Sequence, residues 1–245
     1  MDAARSIRTS LDTVAQLRRE AQADPALGLA VREVKALQAR RFRGTYADLL
    51  ADPVYAPAAR FFLEELYGER DFAQRDDQFA RIAGAIEKLF PAQVAATAGR
   101  LADLHAQTET LDLQVARGWR QEEGAPEPMR YALAWRHAGG QSSRRGQLAS
   151  VVGLGQELAS LTRMPGLRLM LRMMRTPASA AGLGALQSFL ENGFDTFAGM
   201  AKRQGAAERF LASVETRESA LLALLFEGEL VACETELARI LGQAR

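Results

Sequence analysis

Arginine is concentrated in one part of this sequence, where its spacing suits contact with an anion. The stretch 136–186 holds seven arginines and one acid, Glu157, so its formal charge is +6 and the rest of the chain carries −5 to reach the overall +1. Arg168, Arg172 and Arg175 are spaced at i, i+4 and i+7, which places them on one face of a helix. A cationic face of this kind is suited to an anionic ligand or an anionic surface.

Methionine is concentrated in the same segment. Four of the seven methionines lie between Met164 and Met174, and their flexible, polarisable side chains adapt to varied apolar partners. A basic helix with such an apolar face suits an anionic lipid surface, an acidic acyl ligand or a partner's helix. The alternative is a half-buried helix whose arginines reach water or pair with acids elsewhere in the chain. We predict a ligand site made of Arg144, Arg145, Arg168, Arg172, Arg175, Met170 and Met174.

A second group of polar residues surrounds Gly68, where two helices are expected to meet. A tyrosine, two acids and two arginines in this corner could bind a polar ligand or dock a partner protein. The alternative is structural: the glycine ends one helix, an acid caps the next, and the arginines pair with neighbouring carboxylates. The residues concerned are Tyr67, Arg70, Asp71, Arg75 and Asp76.

The two histidines give little sign of metal or cofactor chemistry. His105 and His137 are 32 positions apart, and neither belongs to a motif with metal-ligand spacing. An axial haem ligand is conceivable, but ordinary helix histidines are far commoner. Cys233 is the single cysteine, which excludes an intrachain disulfide and a cysteine-cluster metal site. We expect no metal site and no bound cofactor, and the sequence identifies no catalytic residue.

Helical periodicity positions these residues along the whole chain. Apolar side chains recur every three or four positions, and alanine, leucine, arginine, glutamate and glutamine dominate, as helix propensity favours. Asp24 followed by Pro25 predicts a helix start, and Ser10 or Thr13 is expected to cap an earlier helix. The predicted fold is all-α, with roughly nine or ten helices in bundle-like or orthogonal packing.

The strongest break in the helical pattern is the segment 122–128, which reads EEGAPEP. It separates a predicted N-terminal half, 1–121, from a C-terminal half, 129–245, within what we expect to be one compact domain. A long helix is predicted over 91–120, before the break, and another over about 178–200, after it.

Composition and charge exclude several classes of protein. Hydrophobic residues make up 48% of the chain and charged residues 25%, as in ordinary folded proteins. A net charge of +1 provides no general attraction for nucleic acid. The first 20 residues are too charged for the apolar core of a signal peptide, and no apolar run approaches the roughly 20 residues that span a bilayer. We expect a cytoplasmic protein with no nucleic-acid partner and no transmembrane segment.

Several segments resemble blocks of an uncharacterised, all-helical proteobacterial protein family. The clearest is FFLEELYGERDFAQRDDQFARI, which starts at Phe61, and the segments YALAWRHAGG, LQSFLENGFDTFAGM and ASVETRESALLALLF follow later. The resemblance covers the chain from about Tyr55 to Phe226 and implies a single intact helical domain. It implies no activity, cofactor or catalytic residue.

These features favour a binding protein over an enzyme. We expect a non-enzymatic helical protein that recognises a protein partner or a small anionic apolar ligand such as an acyl group. A homodimer is also expected, with the apolar helix over 210–226 serving either as core or as the dimer seam. Two alternatives stay open: a helical cofactor protein or enzyme of the haem type, and a peripheral membrane protein attached through 167–175.

Overall fold

The computed structural model describes residues 2–66 and 72–244, with Leu66 described by its backbone alone. The predicted corner residues Tyr67, Arg70 and Asp71 lie outside the described residues. The first elements are α1 (Ala3–Ala23), α2 (Pro25–Thr45), α3 (Ala47–Ala51), α4 (Ala56–Phe61), a π-helical turn (Phe62–Leu66), α5 (Ala73–Leu89) and α6 (Ala92–Gln121). The later elements are α7 (Glu127–Ala138), α8 (Gln141–Leu161), α9 (Leu167–Met173), α10 (Arg175–Ala180), α11 (Gly184–Ala201), α12 (Ala206–Glu227) and α13 (Leu230–Gly242).

The all-α prediction is confirmed, but the helices of the described residues outnumber the nine or ten that were predicted. Glycine and proline divide the chain into short helices that periodicity alone does not separate. The helix predicted over 178–200 is divided in this way. Gly182 adopts a φ of +69° between α10 and α11, a conformation that glycine reaches without a Cβ clash.

The predicted start of α2 is confirmed. The Asp24 carboxylate accepts hydrogen bonds from the backbone N–H groups of Ala26 and Leu27 at 3.0 and 3.1 Å, and Pro25 occupies the first turn. Proline fits there because its missing N–H would have no partner within the helix.

The predicted start of α1 is wrong. Asp2 caps this helix, because its carboxylate accepts a hydrogen bond from the backbone N–H of Arg5 at 3.2 Å. Ser10 and Thr13 lie inside the helix, and the buried Ser10 hydroxyl donates to the Asp103 carboxylate at 2.6 Å. The sequence pattern does not distinguish a serine that caps its own helix from one that lies inside the helix and hydrogen-bonds a neighbouring helix.

The central element is α6, which packs against α1, α2, α5, α7 and α8. It is 30 residues long and confirms the long helix predicted over 91–120. Gly118 allows its backbone to approach α7, since an added Cβ atom would lie 2.8 Å from the carbonyl oxygen of Ala134. These five helices of the described chain therefore take their positions from α6.

Buried apolar side chains form three clusters in the described part of the chain. The largest combines residues from both sides of the 122–128 segment, such as Ile7 and Phe79 before it and Phe197 and Phe210 after it. The second lies where α2, α6, α7, α12 and α13 meet. The third is small and joins α8, α9 and α11.

The apolar segment over 210–226 falls in α12. This helix buries Phe210, Leu221 and Leu225 and packs against α7, α8 and α11, so this apolar side belongs to the interior of the chain. Among the described helices, none combines the length and the apolar character that a bilayer crossing requires.

Candidate functional site: an apolar cavity and an adjoining charge cluster

The predicted arginine site is divided between the interior and the surface. Arg144 is buried on α8, where its guanidinium donates to the backbone carbonyl of Leu111 at 2.9 Å and to the Gln147 side chain at 3.2 Å. It also lies 4.3 Å from the centre of the Trp135 ring and 3.6 Å from the Asp112 carboxylate. These contacts join α6, α7 and α8.

The arginines of α9 and α10 meet two acids of α11. Arg168 lies 2.9 Å from the Asp195 carboxylate, and Arg175 donates from Nε to both oxygens of Glu191 at 2.8 Å. The Arg175 hydrogen bond lowers the pKa of Glu191 below its usual value. Arg172 is exposed in the same group. Both acids lie after the basic stretch 136–186 in the sequence. Folding therefore brings negative charge to arginines that have few acidic neighbours along the chain.

The remaining predicted ligand residues lie at or near the surface. Arg145 is exposed and pairs with Glu227 at 3.0 Å. Met170 and Met174 are half-buried, and Met170 packs on the third apolar cluster. The structure therefore gathers five predicted residues around α9 and α10, namely Arg168, Arg172, Arg175, Met170 and Met174. It leaves Arg144 and Arg145 on α8.

An apolar cavity of about 110 Å³ lies between α5, α6, α8, α9 and α11. Among the described residues of its wall, Thr97 alone has a polar side chain, and this hydroxyl lies 3.0 Å from the Gln93 carbonyl and 3.1 Å from the Glu157 carboxylate. Walls of this kind favour apolar molecules over polar ones. The wall consists of Phe61, Phe62, Phe79, Ile86, Phe90, Val94, Thr97, Ala98, Leu101, Leu104, Val151, Leu154, Gly155, Leu158, Leu161, Leu167, Leu171, Phe189, Leu190, Gly193 and Phe194.

Two glycines and a pair of stacked rings shape this wall. An added Cβ atom would lie 2.4 Å from Cδ2 of Leu211 at Gly155 and 3.0 Å from Cζ of Phe61 at Gly193. The Phe61 ring stacks on the Phe189 ring with centroids 5.6 Å apart. Both glycine contacts are with side chains, so a larger residue at either position would displace Leu211 or Phe61.

A smaller cavity of about 40 Å³ adjoins the apolar one and has charged groups in its wall. The two cavities share the wall residues Phe79, Leu101, Leu104, Val151 and Phe189. The apolar space and the polar one therefore meet at these five side chains. The charged or titratable residues of the smaller cavity are Glu65, Arg75, Asp76 and His105.

Asp76 is the centre of this charge cluster. It is 4% exposed, and its Oδ2 accepts a hydrogen bond from Arg18 Nη2 at 2.6 Å and lies 2.9 Å from His105 Nε2. Burial acts to raise the pKa of Asp76, but the His105 hydrogen bond and the charges of His105, Arg18 and Arg75 outweigh it, so this pKa lies below its usual value. The sequence does not predict the Asp76–His105 pair, because 29 positions separate the two residues.

Arg75 lies beside this pair and is only partly bonded. Its Nη1 donates to the Glu65 backbone carbonyl at 3.1 Å, and its guanidinium lies 4.1 and 4.6 Å from the centres of the Phe72 and Phe189 rings. Its distances to the Glu65 and Asp76 carboxylates are both 3.6 Å, too long for hydrogen bonds. Burial lowers the pKa of Arg75 although both carboxylates act to raise it, and an arginine remains a cation at neutral pH.

A separate polar cavity of about 40 Å³ lies among α2, α6, α7, α8 and α12. Arg41 donates to the Glu218 carboxylate at 2.7 Å, and the Tyr46 hydroxyl donates to the same group at 2.9 Å. Among the described residues, the Tyr131 hydroxyl and the Trp135 indole N–H have no hydrogen-bond partner. A polar space of this size has room for a few ordered waters.

The histidines do not come together. His137 Nδ1 lies 3.1 Å from Glu122 Oε1, whereas His105 belongs to the Asp76 cluster, so each imidazole has a carboxylate neighbour. In the described ranges, no three histidine, cysteine, aspartate or glutamate side chains are grouped so that they could hold a metal ion. The Cys233 thiol is buried and donates to the Leu224 carbonyl at 3.0 Å.

Comparison with known proteins identifies a family without a described activity. No curated protein and no solved structure matches the chain. One family profile matches residues 17–231, from within α1 to within α13, and so includes the whole wall of the apolar cavity. This match confirms the expectation of an uncharacterised family. The chain therefore belongs to the family described as Domain of unknown function (DUF8198).

Proposed function

We propose that this chain is a non-enzymatic binding protein whose ligand is a small, largely apolar molecule held in the cavity between α5, α6, α8, α9 and α11. The observation that supports this most is the nearly uniform apolar wall around about 110 Å³ of space. Protein interiors are close-packed, so a space of this size with apolar walls is suited to a molecule that packs against those walls. A bound apolar molecule would bury the side chains that line it.

The volume limits the size of the ligand. An engineered apolar cavity of about 150 Å³ in another protein accommodates benzene. A space of about 110 Å³ therefore suits a single small ring or about six carbon atoms of an alkyl chain, and the rest of a longer chain would lie outside it.

The helix α9 is the proposed point of ligand entry. It is seven residues long and packs mainly on α10 and α11, and a short helix with few buried contacts opens at low free energy. Leu167 and Leu171 line the cavity, whereas Leu169 and Met173 are 63% and 69% exposed. The arginines and methionines predicted around α9 would then lie at the rim of the cavity, outside its wall.

Filling the cavity tests this proposal. Ala98→Leu adds carbon atoms to the cavity wall on α6, and Ala96→Leu makes the same change at an exposed position of that helix. We expect Ala98→Leu to raise the free energy of unfolding by about 1 kcal/mol. It should also weaken the binding of 1-octanol, measured by titration calorimetry, by at least about tenfold. Ala96→Leu should change neither quantity.

Two results would contradict the proposed function. One is a wild-type protein that binds neither 1-octanol nor toluene, and the other is octanol affinity that Ala98→Leu leaves unchanged. The protein partner and the homodimer expected from the sequence stay predictions, and native mass spectrometry of the purified protein would check both.

A further inference from the structure

We propose that the ligand is an amphiphile with one carboxylate, and that Arg75 binds this carboxylate while the apolar part occupies the larger cavity. This inference rests on the proposed function and adds the chemical class of the ligand. It also places the anionic contact in the smaller cavity, away from the arginines around α9.

The Nε–Nη2 edge of Arg75 is the donor pair that carries the proposal. Nη1 is bonded to the Glu65 carbonyl, but Nε lies 3.6 Å from the nearest Asp76 oxygen. Among the described residues, Nη2 has no hydrogen-bond partner, and it is not one of the fully buried unpaired atoms. The Arg75 side chain is 11% exposed, so this edge is largely shielded from bulk water and has only the long contact with Asp76 inside the protein. A carboxylate fits such an edge with two parallel hydrogen bonds.

The position of the guanidinium is set before any ligand arrives. Phe72 and Phe189 both lie within 4.6 Å of it, measured from their ring centres, and these contacts restrict the orientation of its plane. Phe189 also belongs to the walls of both cavities. A carboxylate on Arg75 would therefore extend its apolar part past Phe189 into the larger cavity.

Two carboxylates lie near Arg75, but neither comes closer to it than 3.6 Å. Asp76 already receives the Arg18 guanidinium at 2.6 Å and lies 2.9 Å from His105, while its closest approach to Arg75 is 3.6 Å. Glu65 is the competing acid, also at 3.6 Å, and a bound carboxylate would come closer than either. The smaller cavity measures about 40 Å³, which favours one planar carboxylate over a bulkier, doubly charged phosphate.

A comparison of octanoate with 1-octanol tests the inference, since the two share a chain and differ in charge. Titration calorimetry would be run on the wild type, Arg75→Gln, Arg75→Lys and Arg81→Gln, the last an exposed arginine of α5. We expect Arg75→Gln to weaken octanoate binding by at least about tenfold and to leave octanol binding within about twofold. Arg75→Lys keeps the charge but loses the paired donors, so its octanoate affinity should be intermediate. Arg81→Gln should match the wild type.

The outcomes separate this inference from the proposed function. Octanol binding that Ala98→Leu abolishes, together with octanoate affinity that Arg75→Gln does not selectively reduce, would overturn the inference alone. A selective loss of octanoate in the double variant Arg168→Gln, Arg172→Gln, with none in Arg75→Gln, would also overturn it and move the anionic contact to the rim. Failure of both probes to bind the wild type would overturn the proposed function. If Arg75→Gln does not fold, the Arg75→Lys variant and the wild-type preference for octanoate decide the question.

Discussion

At the scale of single residues, Asp76 is the carboxylate at which side chains from three helices meet. Arg18 reaches it from α1 and His105 from α6, while Arg75 lies beside it on α5. Removing one member of a buried ionic cluster leaves the others without compensation, which destabilises a fold more strongly than loss of a surface ion pair does. The Asp76 carboxylate makes its short contacts with Arg18 and His105 and stays 3.6 Å from Arg75.

We expect Asp76→Asn to lower the free energy of unfolding by about 3 kcal/mol at pH 7. Because the folded pKa of Asp76 lies below its unfolded value, stabilisation by its charge is fully present above an unfolded pKa of about 3.9. That stabilisation is lost as the pH falls through the folded pKa. The difference between wild type and variant should therefore shrink below about pH 4. Urea unfolding from neutral to acidic pH measures it.

The matched control for this prediction is Asp77→Asn, because Asp77 is exposed on the same helix. It should change the stability little at any pH. If the loss caused by Asp76→Asn were equally large at neutral and at acidic pH, the charge of Asp76 would not be its cause.

At the scale of elements, close backbone approach decides how the helices surround α6. At Gly118 an added Cβ atom would meet the carbonyl oxygen of Ala134 at 2.8 Å and its Cα at 3.1 Å. Both are backbone atoms, so no side-chain rotation relieves the contact, and α7 would have to move. Gly146 on α8 is different, because no described atom outside its own helical surroundings lies within 4 Å of an added Cβ there.

These two glycines give a matched pair of substitutions with opposite expected signs. We expect Gly118→Ala to lower the free energy of unfolding by about 2 kcal/mol through overpacking. Gly146→Ala should raise it by about 0.5–1 kcal/mol, because alanine loses less conformational freedom in a helix than glycine does. Denaturant unfolding monitored by circular dichroism measures both, and a stabilising Gly118→Ala would contradict the close approach of α6 and α7.

At the scale of the whole molecule, contacts cross the break at 122–128 in several places. The largest apolar cluster contains Phe79 from one side and Phe210 from the other. An ion pair between the buried Arg41 and the half-buried Glu218, 2.7 Å apart, also joins the two sides. Because the two halves share a core, unfolding of one half exposes buried apolar surface of the other.

We therefore expect thermal unfolding to be a single cooperative transition. The calorimetric and van 't Hoff enthalpies should agree, and circular dichroism should report the same midpoint as tryptophan fluorescence. Trp119 and Trp135 both lie in the second apolar cluster, so their fluorescence reports on that part of the core. Two separated transitions would instead show that 1–121 and 129–245 unfold as independent domains.

Features that depend on neighbours along the chain could be predicted from the sequence alone. Helical periodicity predicts the all-α class and the long α6, and the dipeptide of Asp24 and Pro25 marks the start of α2 correctly, because hydrogen bonds within a helix and at its cap join residues close in sequence. Where two local interpretations compete, as at Ser10, the pattern alone does not choose between them.

Tertiary structure decided the candidate site. The Asp76–His105 pair and the contact of Arg168 with Asp195 join residues on different helices. The spacing of these residues in the sequence therefore does not predict the contacts. The apolar cavity depends even more on the fold, because its volume is the space left when rigid side chains from at least five helices meet. Periodicity shows which residues are buried, but the gap between them exists only once the helices have packed.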